Sequence, residues 1–236
     1  MAAKVIVATL SVVIAVLLGI QQFRSNRHMK EDMRRGRISR AIEDAKAKNK
    51  NKITLPAPIP YYAGVNTLDE GLASYTTLIA EPISRHSWIN QTSGEIETWY
   101  KLHVVDFLSQ PKNMKCSDCS STKYVPAELQ PIKSDEIVIR RNTGTVVADE
   151  VEVTSIDLLY PEFKLHQQYL FFLSYDGETR VGTIELGAAG VSAIGTNGQV
   201  TPISEKSNRL NKQLTSRYGD DISQIRAELK FRRFPE

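Results

Sequence analysis

The sequence predicts a mainly β domain, a small barrel or a sandwich, with an N-terminal transmembrane and stalk helix before it and a helical tail after it. Three observations lead there. Strand-like segments separated by turn residues fill residues 72–203. An uncharged apolar run, residues 5–20, sits at the N-terminal end, and two stripes of helical period lie at the C-terminal end. The predicted divisions are an anchor or uncleaved signal at 1–23, a basic helical stalk at 24–52, a Pro-rich linker at 53–71, the β domain at 72–203 and the tail at 204–236.

The apolar run has no charge and would span roughly 24 Å as a helix, about 28 Å with Gln21–Phe23 included, against a bilayer core of about 30 Å. Its end, Leu17-Leu18-Gly19-Ile20, fits a small-residue cleavage site poorly, so a retained membrane anchor over 5–23 is expected rather than a removed signal. The flank that follows carries Arg24, Arg27, Lys30, Arg34, Arg35, Arg37 and Arg40, and the positive-inside rule then places the body in the cytoplasm. Residues 26–48 have helix formers and only a thin apolar stripe of Met29, Met33, Ile38, Ala41, Ile42 and Ala45, which reads as a solvated stalk. Pro56-Ala57-Pro58-Ile59-Pro60 reads as a stiff, extended linker.

Strands are predicted at 75–83, 95–107, 136–140, 145–153, 168–175 and 180–186, with a short pair at 190–194 and 199–203. The second alternates cleanly: Ile96, Thr98, Tyr100, Leu102 and Val104 on one face, Glu97, Trp99, Lys101 and His103 on the other. Tyr169-Leu170-Phe171-Phe172-Leu173 is an unbroken apolar run, as expected of a central strand buried on both faces. Turns are expected at Asn142-Thr143-Gly144, Asp176-Gly177 and Asn197-Gly198, the last in type I′ geometry. Strand number and spacing favour a partly open barrel of the oligonucleotide-binding type over a sandwich. In the tail, Leu210, Leu214 and Tyr218 mark one helix closed by Gly219. Ile222, Ile225 and Leu229 mark a second, capped by Asp220 or Asp221, and packing on the barrel is its expected role.

Charge is unevenly divided. The chain is +3 overall, yet residues 24–52 hold eleven Lys/Arg against four Asp/Glu, while residues 53–202 hold ten against eighteen, a net −8. Nucleic-acid binding needs a basic face to neutralise phosphates, so an acidic body argues against a nucleic-acid partner.

No residue constellation specifies a reaction. Trp88, Trp99 and Tyr100 are candidates for a ligand face, with Tyr61-Tyr62 beside them, although strand aromatics are more often core. Glu95 with Glu97, and Asp149, Glu150 and Glu152, are the acid–base candidates, and their alternation points to a solvated face. His103 beside Asp106 has no serine nucleophile motif near it. The Gly-rich stretches 187–190 and 195–198 lack the strand–loop–helix setting of a phosphate cradle, and no cofactor motif is present. Asn90-Gln91-Thr92 is a glycosylation sequon.

The order of motifs in residues 72–203 resembles a group of bacterial exported β-domain proteins without an assigned activity. It is carried by Tyr75-Thr76-Thr77-Leu78-Ile79-Ala80-Glu81-Pro82, Thr98-Trp99-Tyr100-Lys101-Leu102, Val105-Asp106-Phe107-Leu108, Phe163-Lys164-Leu165-His166-Gln167-Gln168-Tyr169 with the apolar run that follows, and Gly187-Ala188-Ala189-Gly190-Val191. Gln167 stands where members often carry glycine. The resemblance implies an extracytoplasmic barrel and no catalytic residues.

Cys116 and Cys119 form the single cysteine pair, in a Cys-Ser-Asp-Cys loop between Pro111 and Pro126. Zinc would need two further ligands, and no metal site is expected. In an exported body the two form a local disulfide; in a cytoplasmic one they remain thiols. Export is the favoured side, against the positive-inside rule. The expected function is a membrane-tethered, non-catalytic binding module, held through residues 5–23 and open to a protein partner. The alternative is an extracytoplasmic hydrolase whose site is assembled from loops.

Overall fold

The computed structural model describes residues 36–58, 64–111, 125–205 and 208–231. The anchor at 5–23, Tyr61-Tyr62, and Cys116 with Cys119 lie outside the described residues. Among the described residues no helix is long and apolar enough to cross a membrane.

Five strands close into a barrel. β2 (Thr76–Ile89) and β3 (Ile96–Ser109), 14 residues each, form a hairpin, β4 (Glu136–Arg141) pairs antiparallel with β3, and β7 (Tyr169–Asp176) pairs antiparallel with β2. The three-residue β8 (Val181–Thr183) completes the ring, parallel to β4 and antiparallel to β7. The ring is therefore closed, where the sequence suggested a partly open one. The hairpin can coil this tightly because its register slips at Thr77/Leu78, Ile79/Ala80 and Pro82/Ser84, and such bulges sharpen local twist. Pro82 sits at the third slip, where a missing backbone donor is tolerated.

Alternation decides what fills the ring. Leu78 and Ala80, Tyr100 and Leu102, Ile137 and Ile139, and Phe171 and Leu173 share one buried cluster. β7 is buried along Tyr169–Ser174, as its apolar run required: β2 lies on one edge, and β8 and β9 (Val191–Ile194) share the other. The loop that leads into β7 adds Tyr160 and Phe163 to this cluster. Phe163 meets Tyr100, Tyr160, Tyr169 and Phe171 edge-on, with ring centroids 5.1–5.8 Å apart. Edge-to-face contact suits the ring quadrupoles.

The outside of the ring is covered by helices and loops. α2 (Leu68–Ser74), α3 (Arg209–Tyr218) and α4 (Ile222–Phe231) cover the face that presents Ile79, Leu170 and Phe172. The tail follows its predicted stripe, with Leu210, Leu214, Ile225 and Leu229 buried. Gly219 closes α3 at φ 79°, and the Asp221 carboxylate accepts from the Ser223 N–H at 2.7 Å to start α4. On the opposite face Val125 and Leu129 lie with Trp99 and Val138.

A second layer sits beside the barrel. β1 (Lys52–Pro56), β6 (Val151–Ile156) and β5 (Gly144–Ala148) form a three-stranded sheet in the order β1-β6-β5, with β1 parallel to β6. Residues 36–47 form a helix, α1, whose Ile38, Ile42 and Ala45 are buried against Val151, Val153 and Ile96. This corrects two expectations. The thin apolar stripe of the stalk is a packing stripe over this stretch, and part of the Pro-rich linker is a strand.

One strand expectation and one turn expectation also change. Residues 145–153 are two strands, because Asp149 (φ 48°) and Glu150 (φ 68°) both adopt left-handed backbone and reverse the chain in two residues. The turn between β9 and β10 (Val200–Pro202) is longer than type I′. The Gly198 N–H donates to the Gly195 carbonyl at 2.9 Å and Gly198 itself has φ 81°, a type I turn followed by a left-handed glycine.

Candidate functional site

The residues singled out in the sequence are not brought together. Trp99 (2% exposed) and Tyr100 (0%) point to opposite sides of β3: Trp99 lies beneath Val125 and Leu129, and Tyr100 is inside the barrel. Half-buried Trp88 stacks on Trp99 at 6.4 Å. The three therefore share no open face. Burial raises the Tyr100 phenol above its usual range, with Glu162 adding to the shift while Arg141 and Arg85 oppose it.

The acidic candidates have separate structural partners. Glu95 pairs with Arg37 at 3.3 Å, which ties α1 to the barrel hairpin. Glu97 accepts from the Asn90 side-chain amide at 2.8 Å and lies 3.8 Å from Arg140. Asp149 and Glu152 face Lys46 and Lys52 across the second layer. Asn90, the sequon asparagine, also accepts from the Thr92 and Ser93 N–H groups, so its side chain builds the β2–β3 turn. Asp106 does not meet His103; it binds Arg226 and Lys230 of α4 at 3.2 and 2.8 Å. His103 instead faces Asp135, and His166 faces Glu81, each at 3.2 Å and each partly exposed. Among the described residues, no group of three or more His, Cys, Asp or Glu side chains could hold a metal ion.

A different place in the molecule gathers polar groups. A cleft of about 180 Å³ opens where the barrel meets the second layer. Arg140 and Arg141 at the end of β4, Asn142 and Thr143 in the following turn, Asp157 after β6 and Thr183 of β8 line it, with Tyr160 beside them. The turn is fixed by close packing. Gly144 has φ 139°, and a Cβ there would lie 1.9 Å from Thr98 Oγ1, so only glycine lets the turn lie against β3. Thr98 donates to the Thr143 carbonyl and bonds Ser87 Oγ at 2.7 Å.

Arg141 is the central side chain of the cleft. It is 5% exposed, yet charged residues are rarely buried unless paired. Its guanidinium donates to the Pro161 carbonyl at 2.7 Å and to the Tyr160 carbonyl, and stacks 3.8 Å over the Tyr160 ring and 5.0 Å from that of Phe163. These contacts pin the loop after β6 to the barrel end. Each of the two carbonyls takes one N–H of a group that carries five. Thr143 is 4% exposed, and its hydroxyl has no hydrogen-bond partner among the described residues. A buried hydroxyl without a partner costs roughly 1–3 kcal/mol, and Thr143 shares this state with Thr77, Tyr100, Ser109 and Ser155 but is the one of these five that lines the cleft.

Chemically, the two guanidinium groups that line the cleft suit an oxyanion, while the Asp157 carboxylate opposes one, and the Thr143 hydroxyl lies buried behind the lining. Sequence reading missed Arg141, although a signal was present. Ile137, Ile139 and Arg141 share the inward face of β4 at period two, so an arginine terminates an interior row. No protein-family model and no curated protein matches the chain.

Proposed function

We propose that this chain is a membrane-tethered, non-catalytic binding module, held through residues 5–23, whose ligand seat is the cleft between the barrel and the second layer. The observation that carries this reading is the buried Thr143 hydroxyl left without a partner beside the buried Arg141 guanidinium. A small ligand bearing a carboxylate or phosphate would pair with the guanidinium groups that line the cleft and, with a small shift of the turn, satisfy the hydroxyl. The cleft is smaller than the roughly 300–1,000 Å³ of pockets that enclose drug-sized molecules, so a small ligand or a single projecting side chain of a protein partner is the size class. The barrel face used by oligonucleotide-binding barrels is a weaker candidate: Val125 and Leu129 cover Trp99 there, and the body is acidic. The exported side of the membrane remains the favoured side, on the resemblance of residues 72–203.

The test is thermal unfolding of the full chain in phosphatidylcholine nanodiscs with phosphate, acetate or succinate, against chloride at matched ionic strength. Ligand at 100 times its Kd adds about 2.7 kcal/mol of stability, or on the order of 5–10 °C for a chain of this size. At least one oxyanion is expected to raise the midpoint of the wild type and to have less effect on Thr143→Val. That variant without ligand should be as stable as the wild type or more so, because it removes an unpaired buried hydroxyl. A midpoint indifferent to all three anions would overturn the cleft as a ligand seat. The hydrolase alternative draws on the His166–Glu81 pair and would require His166→Ala to abolish turnover of an ester or glycoside substrate.

A further inference from the structure

Leu158 and Leu159 form the most exposed adjacent apolar pair among the described residues, 83% and 46% exposed. They are held outward by an ordered turn. The Asp157 side chain accepts from the Leu159 N–H at 2.8 Å, and the Asp157 carbonyl accepts from the Tyr160 N–H. Tyr160, next in the chain, is buried beneath the Arg141 guanidinium. The turn is thus anchored from below and cannot fold its leucines inward without releasing Tyr160.

Its location gives the pair a partner. Arg37, in the first turn of the described part of α1, donates to the Pro56 carbonyl, and Pro56 is in register with Ile156 at the end of β6. Lys46, near the other end of α1, reaches Asp149 in the β5–β6 turn at 3.6 Å. The N-terminal end of α1 and the Leu158-Leu159 turn therefore lie at the same end of the second layer, two residues beyond Ile156. The chain enters α1 from residues 24–35, which follow the apolar run, and twelve residues reach at most about 40 Å in any conformation.

We propose that the Leu158-Leu159 turn dips into the lipid head-group boundary of the membrane that holds residues 5–23, and so fixes the orientation of the body and its adjoining cleft. The proposal rests on the tether reading above. Two leucines alone are a weak membrane signal, but a short tether holds them at high effective concentration and makes a weak contact sufficient. The occupant is a lipid surface rather than anionic lipid in particular, since the body as a whole is acidic.

The experiment uses the full chain in phosphatidylcholine vesicles with acyl-brominated lipid, which quenches nearby indoles. Leu158→Trp is compared with Val147→Trp, also exposed (73%) but on β5 beside the opposite turn, roughly 13 Å along the strands from Ile156, where β6 ends. Leu159→Trp repeats the measurement at a second exposed site. An indole at the loop should sit about 5–10 Å into the head-group boundary and lose at least about two-fold more of its emission than the one on β5. Flotation of the same vesicles after alkaline carbonate reads the tether separately. Vesicles that float while both loop variants are quenched no more than Val147→Trp overturn the docking turn and leave the tether standing. A chain that does not float removes the tether, and the docking turn with it.

Discussion

The barrel and the second layer are both β structure, built differently. In the barrel every strand of the ring has a neighbour on both edges, and Leu78, Tyr100, Ile139 and Phe171 are fully buried. The second layer is an open sheet of three strands, and β1 alternates between exposed and half-buried residues along its whole length. Its apolar support is the stripe Ile38, Ile42 and Ala45 on α1, aliphatic side chains of β1, β5 and β6, and Ile89 and Ile96 of the barrel hairpin. A closed ring buries both main-chain edges and an interior; an open sheet must borrow a helix to bury one face. Stability should therefore reside in the ring, while the surfaces left for recognition lie along the second layer and its seam with the barrel.

The sharpest way to break this contrast is Phe171→Ala. Removing a ring packed against Phe163 and Tyr169 inside the barrel should cost about 3–5 kcal/mol and lower the midpoint of the whole chain by on the order of 10 °C. A loss below about 1 kcal/mol by denaturant titration would show that the ring does not carry the stability of the chain.

Gly144→Ala tests the seam. The added methyl would strike Thr98 Oγ1, and φ 139° strains any L-residue, so a loss of about 2–3 kcal/mol is expected. Because Thr98 and Ser87 belong to the barrel hairpin, the damage should spread to both bodies. Hydrogen exchange should rise in residues 96–100 as well as in 144–148.

Ile42→Ala should have the smallest global effect. It removes a buried contact of α1 for a local cost of about 2 kcal/mol. Amide exchange is expected to quicken over residues 36–47 and 151–156 while residues 169–173 stay as protected as in the wild type. Equal acceleration everywhere would mean that barrel and layer unfold as one unit and would erase the comparison.

Much of the fold was legible because strand alternation is local. The two faces of β3 were readable residue by residue, and the apolar run of β7 announced a strand buried on both faces. The candidate site was not. Trp99 and Tyr100 are equally aromatic and adjacent, and nothing nearby in the sequence says that Val125 and Leu129 return to cover one of them. The β5–β6 turn was hidden because Asp149 and Glu150 take up left-handed backbone without the glycine or asparagine that usually marks it. The stripe on α1 looked too thin for a packed helix, since three aliphatic residues suffice only when a sheet is there to receive them.

By itself the sequence determined the periodicities of the strands and tail helices and the division of charge between a basic flank and an acidic body. It also set the apolar character of residues 5–20. Each of these is a property of residues a few positions apart. Tertiary structure decided that β8, three residues long, closes the ring between β4 and β7, and that the loop after β6 fills the barrel end with Phe163. It also turned Arg141 into the floor of a cleft and set Leu158 and Leu159 outward at the end of the second layer that carries Arg37. Those outcomes depend on which distant segments meet, because pairing and packing energies are collected only once chain far apart in sequence has been brought together.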